Sequence, residues 1–355
     1  MTDERDCLAF CGDVMLGRLV NDRIAGEHFA YPWGDLLPYL READLFLINL
    51  ECAMTDRGQC WSDGRYKPFS FRAGPAVVAT LQAGRVDCAS LANNHACDYG
   101  TEGLLQTIDV LDSAGIAHVG AGRDLLQARR AVLLEMGHRR VAVLGIADYP
   151  AAWAAGADTA GINYVPISVN GESFETLRHA ITAVRRQSDI VVLSAHWGPN
   201  MRDRPTATFR DFARATIDAG VTIFWGHSAH IVQGIEFHGT GLILYDTGDF
   251  IDDYAVDAML RNDLSALFIV TFDDSGIAHV RLLPVRIDDM QVNAAKPDDS
   301  RRFAELLAPR CGEMGTELRS VRDTPFFEVR RAETIRRRPA RMPSSRRTSR
   351  RSSHP

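Results

Sequence analysis

Residues Asp189–Gly198 read DIVVLSAHWG: an acid, an apolar run with almost no polar interruption, then His196, Trp197 and a glycine. A continuous apolar run of strand length that ends in polar residues predicts a strand. The same shape recurs along the chain. LFLINLE (Leu45–Glu51), VDCASLANNH (Val86–His95), RRVAVLGIAD (Arg139–Asp148) and VTIFWGHSAH (Val221–His230) are apolar runs with polar ends. LAFCGDVML (Leu8–Leu16) starts as a strand and is expected to break at Gly12. Between these runs lie helical patterns: PAVVATLQAG (Pro75–Gly84), TEGLLQTIDVLDSAG (Thr101–Gly115) and TFRDFARATIDAG (Thr208–Gly220). The first has proline at its start, and all three stop at glycine. Alternating strands and helices predict an α/β fold.

From Ile231 the pattern turns to strands. IVQGIEFHGTGLILYDTGDF precedes SALFIVTFDDSGIAHVRLLPVRID, whose central DDSG predicts a hairpin. A last helix, DSRRFAELLAPR, precedes TPFFEV. Residues 1–329 are read as one domain and 330–355, rich in Arg, Ser and Pro, as a disordered basic tail.

The 355 residues are 46% apolar and 24% charged, enough to build a large core. The tail from Arg330 carries ten arginines against Glu333 alone, so of the chain's net −6 the preceding 329 residues hold −15. A body that acidic repels phosphate backbones, and nucleic acid is not an expected partner. Only Lys67 and Lys296 stand beside 38 arginines. Seven cysteines without a CxxC pair read as free thiols. With no signal-peptide pattern and no apolar run of membrane-spanning length, a soluble cytoplasmic protein is expected.

Five strand ends carry polar clusters: Gly12-Asp13, Asn49–Glu51, Asn93–His95, His196–Gly198 and His227–His230. Ligands in α/β folds gather at carboxyl strand ends, so these clusters are expected to form one site. Asp, Glu, Asn and His together are the oxygen and nitrogen donors that suit Mn, Fe or Zn. Taken singly each cluster is weakly specific, since a turn or strand-end histidine is commonly structural.

In order, the blocks CGDVMLGR, NLE, SLANNHACDYG, SAHWGPN, GHSAHIVQGIE and LILYDTGDFIDDY resemble the CapA family of poly-γ-glutamate and capsule biosynthesis, within the calcineurin-like metallophosphatase superfamily. The resemblance spans roughly Leu8 to Val285. It implies a four-layer α/β-β/α sandwich and a metal-dependent hydrolase acting on a phosphoester or a related amide or acyl bond. A non-catalytic accessory role in polymer synthesis is the alternative. It implies one or two divalent ions held by Asp13, Glu51, Asn94, His196, His227 and His230, with Glu51 bridging and His95 catalytic. Arg18, Asn49, Asn93, Trp197 and Asp249 are placed around them as substrate-binding or supporting groups. Two departures stand out. The superfamily's opening DxH is Asp13-Val14-Met15 here, and the spacing of His227 and His230 leaves open which of them binds metal. The expected substrate is an anionic small molecule or polymer; self-association stays open. Asp98 is read as the cap of the helix that follows it, with support of His95 as the alternative.

Overall fold

Strands that are apolar on both faces need a cover on each side, and here each receives one. The computed structural model describes residues 6–62, 64 and 67–332. The ten-stranded sheet runs, in spatial order, Thr316–Ser320, Phe327–Arg331, Gly276–Asp288, Leu264–Asp273, Cys7–Val14, Leu45–Leu50, Cys88–Ser90 and Ala117–Val119, with two short strands attached. The second sheet has six: Ile235–His238, Gly241–Leu244, Ile223–His227, Ile190–His196, Arg139–Ala147 and Val132–Met136. Leu8, Phe10 and Leu47 of the first sheet meet Val141, Val192 and Trp225 of the second in one buried cluster. Residues of opposite parity, Ala9, Cys11, Phe46 and Ile48, face Leu81, Leu104, Ile108 and Leu111 from helices Val78–Ala83 and Gly100–Ala114. On the far side, Val191 and Leu193 pack against Phe174, Ile181, Phe212 and Ile217 of helices Glu172–Arg185 and Ala207–Ala219. Helix, sheet, sheet, helix is the four-layer sandwich, and side-chain alternation along each strand divides its residues between two cores.

The expected hairpin forms, with Leu264–Asp273 antiparallel to Gly276–Asp288. The strand expected to break at Gly12 does not: Cys7–Val14 is continuous, and the glycine marks a register shift between Phe10 and Asp13 against its neighbour. The last strand, Phe327–Arg331, extends two residues past the expected start of the tail, and residues 333–355 lie outside those described. Among the described residues, no helix is long and apolar enough to cross a membrane.

Register builds the site. Asp13 pairs with Asn49 on one neighbouring strand and with Asp249 on another, and His196 pairs with His227.

Candidate metal centre

Parallel strands end at one edge, so the residues just past their last apolar positions meet there. Asp13, His196 and His227 offer ligand atoms within 4.8 Å of one another, and so do Asp13, His230 and Asp249. Asp13 is common to both groups. His196 Nδ1 lies 2.9 Å from His227 Nδ1, and His196 Nε2 lies 3.8 Å from Glu51 Oε1. Both histidines of the GHSAH turn therefore reach the centre, but differently: His227 joins His196, whereas His230 Nδ1 lies 2.7 Å from Asp249 Oδ1 and 3.4 Å from Asp13 Oδ2. The turn is conformationally unusual, with Ser228 at φ 115° and His230 at φ 61°. Such backbone persists where surrounding structure holds it; Asp246 does so by accepting from the Ala229 and Gly248 amides, both at 2.8 Å.

The supporting groups fix orientation. Asn93 donates to Asn49 Oδ1 (3.1 Å), and Asn49 donates to Asp13 Oδ1 (2.7 Å), so two amides in series aim the Asp13 carboxylate. Asn93 Oδ1 accepts from the His95 amide at 3.0 Å. Ser194 Oγ stands 2.7 Å from His227 Nε2. With that Nε2–H donating to serine, Nδ1 keeps its lone pair toward Asp13 and His196.

Burial sets the charge states. It pushes His196 well below the ordinary histidine pKa and His227 down to about 4, leaving both neutral, as ligation requires. Burial, with Asp13 nearby, raises Glu51 well above its usual value, and burial brings Asp249 up to about 6. For Asp13 burial acts upward too, but the positive charge at His230, with His196 and His227 nearby, outweighs it, to about 2. The converse holds at His230, where burial acts downward but Asp249 and Asp13 raise it well above the ordinary value, so an ion bound there must displace the ring's proton.

These residues fit a divalent cation. Asp13 Oδ2, Glu51 Oε1, Asn94 Oδ1 and Asp249 Oδ2 are buried acceptors without hydrogen-bond partners among the described residues. Orphaned buried carboxylate oxygens are costly unless a cation meets them. Met15, two residues past Asp13, offers no free sulfur: it is fully buried and its Sδ accepts from the Gly17 amide.

His95 sits beside this cluster in a separate setting. Its ring stacks on Phe71 (centroids 3.9 Å apart, 21° between planes), and its Nδ1 is 2.6 Å from Asp98 Oδ2. Burial lowers its pKa despite Asp98. Asp98 thus supports His95 and does not cap the next helix, whose N-cap residue, Tyr99, makes no side-chain capping bond. Capping was the expectation because Asp before a helix ordinarily serves that end; here the carboxylate turns inward and is fully buried.

Two supporting residues stand elsewhere than expected. The Trp197 side chain is packed among Phe209, Phe212, Phe224 and Tyr245 and donates to the Tyr245 carbonyl, so it serves the core and not a substrate. Arg18, expected to clamp an anion, pairs with Asp253 and lies 5.1 Å from the Phe71 ring centroid, so its charge is already met. Sequence reasoning missed Ser194, Lys67, Phe71 and Tyr254; the last donates to Glu51 Oε2 at 3.2 Å. A serine inside an apolar run, two residues before His196, was the available sign for the first.

A probable polyglutamine synthesis accessory protein of Mycobacterium tuberculosis is 34% identical over 85% of this chain and 83% of its own length. The capsule biosynthesis protein CapA of Bacillus anthracis is 27% identical over 86% of this chain and 73% of its own. Among solved structures, a purple acid phosphatase from yellow lupin is 10% identical, with a TM-score of 0.40 over 82% of this chain and 53% of that one. Residues 7–254 match the family described as bacterial capsule synthesis protein PGA_cap, and the chain belongs to that family.

Proposed function

We propose that this chain is a metal-dependent hydrolase that cuts a phosphoester, or a related acyl or amide bond, of an anionic substrate. The observation that carries the reading is the set of buried, unpartnered oxygens on Asp13, Glu51, Asn94 and Asp249 at the strand ends that bear His196, His227 and His230. Asp13, His196 and His227 would hold one ion, and Asp13, His230 and Asp249 a second, with Glu51 and Asn94 completing the donors. Bound there, divalent ions supply Lewis acidity that polarises the scissile group and activates water. The chain's own residues do the rest. Asn93 and Asn49 keep Asp13 aimed, Ser194 fixes the His227 tautomer, and Phe71 and Asp98 fix the His95 ring. His95, protonated for the step, gives a proton to the leaving group from Nε2 while Asp98 accepts from Nδ1.

The second reading is a metal-binding accessory to a polymer-synthesising complex. The mycobacterial relative's name, a probable polyglutamine synthesis accessory protein, and the apolar Met15 at the first motif favour it. Full-length protein loaded with Mn²⁺ or Zn²⁺ and offered phosphomonoesters, phosphodiesters and γ-glutamyl peptides separates the two. The hydrolase reading expects turnover that His95→Gln lowers at least a hundredfold with metal retained. Protein that takes up no Mn, Fe or Zn, or turnover indifferent to His95→Gln, rules it out.

A further inference from the structure

Lys67 is one of only two lysines in a chain with 38 arginines, and it lies at the candidate site. Its side chain is 19% exposed and forms an ion pair with Asp98 Oδ1. The same ammonium donates to the Asn94 carbonyl at 3.1 Å, lies 3.4 Å from His95 Nδ1 and stands 4.9 Å from the Trp153 ring centroid. Four residues on, the Phe71 amide donates to Asp98 Oδ2 at 2.6 Å while the Phe71 ring covers His95. The segment 67–71 therefore holds both oxygens of Asp98 and one face of His95.

We propose that Lys67 is a positioning residue for His95, acting through Asp98 to hold the imidazole in one orientation and one tautomer. This rests on the hydrolase reading only for its effect on turnover. Asp98 is fully buried, and a buried carboxylate is costly without a counter-charge, which a neutral His95 ring does not supply. The ammonium supplies the counter-charge and, by occupying Oδ1, leaves Oδ2 to His95 and the Phe71 amide. The choice of lysine over arginine follows from geometry. A compact ammonium can address a carboxylate, a carbonyl and an aromatic face in three directions, whereas a planar guanidinium directs its donors in one plane. Since Lys67 approaches Nδ1, it acts from behind the ring and touches no reacting atom.

The test is long-range ¹H–¹⁵N NMR of the full-length chain labelled at histidine nitrogen, with zinc bound, at one fixed pH, and with His95→Gln to identify the His95 signals. The wild type should show a single His95 tautomer with the proton on Nδ1. Lys67→Met and Lys67→Arg should both move these nitrogens toward tautomer averaging, with zinc content and circular dichroism unchanged. Where a substrate is cut, kcat should fall about tenfold to a hundredfold with KM little changed. Asp98→Asn, a second route to a loosened ring, should reproduce the nitrogen shifts. If Lys67→Met or Lys67→Arg folds and keeps the wild-type His95 shifts, the proposal is overturned; so is it if only Asp98→Asn moves them. If no ester or peptide is cut by the wild type while the Lys67 variants still shift His95, the hydrolase reading fails and the positioning role stands.

Discussion

Gly12→Ala is the sharpest single test of how the metal centre is assembled. A Cβ at this position would lie 1.9 Å from the Gly248 carbonyl oxygen, 2.5 Å from its carbon and 2.7 Å from the Thr247 oxygen. All three are backbone atoms, so no side chain can rotate away, and either the strand Cys7–Val14 or the 247–249 loop must shift by more than an ångström. That shift breaks the bond from the Asp13 amide to the Gly248 carbonyl, 2.9 Å in the native fold, and the pairing of Asp13 with Asp249. Overpacking a core costs about 1–3 kcal/mol and a lost hydrogen bond about 1 kcal/mol more. At about 2 cal/mol/K per residue of unfolding entropy, roughly 2–4 kcal/mol lowers the melting temperature of a chain this long by about 3–5 °C. Because Asp13 belongs to both groups of candidate ligands, zinc affinity should fall about tenfold or more. Calorimetric melting and zinc titration measure both quantities. Gly312→Ala is the control: this helical glycine has open space where a Cβ would go, so alanine should leave zinc binding unchanged and raise stability by about 0.5–1 kcal/mol. A Gly12→Ala protein with native melting and native zinc affinity would refute the close-approach argument.

The two histidines of the GHSAH turn should separate by stoichiometry. His227→Ala is expected to remove the ion shared with His196, and His230→Ala only the one shared with Asp249, each cutting bound zinc from two equivalents to one in elemental analysis; equal and total loss from either would contradict the two-group geometry. Acid should destabilise the metal-free protein partly through His227, whose folded pKa of about 4 lies below the roughly 6.5 of an unfolded histidine. Between those values the unfolded chain binds the extra proton, so this contribution is lost as pH falls from about 6.5 to about 4, on the order of 3 kcal/mol. Urea unfolding of His227→Gln should show a shallower dependence across that window; an identical slope argues against a buried neutral ring.

Much of the fold was legible because burial on both faces leaves a local trace. The strand Ile190–His196, buried along its whole length, is apolar except at Ser194 and the terminal His196, and the helix Gly100–Ala114 announces its end in Gly115, which is left-handed at φ 72°. Less legible were residues whose roles depend on direction. Asp98 and Tyr99 both sit before a helix, and nothing local says that Asp98 turns inward to His95. Trp197 follows a candidate ligand in sequence yet, on an alternating strand end, it points into the opposite core.

By itself, the sequence determined that the chain is α/β, that its apolar strands finish in metal-compatible side chains, and that those blocks stand in a known family's order. Tertiary structure decided how the blocks are shared out. Strand register set Asp13 between Asn49 and Asp249, and the strained turn at Ser228 and His230 sent His227 and His230 to different groups around Asp13. Lys67 reaches Asp98 from 31 residues away. Such pairings link segments that share only the strand-end edge, and their geometry is set by sheet order and packing; no local pattern of residues encodes it.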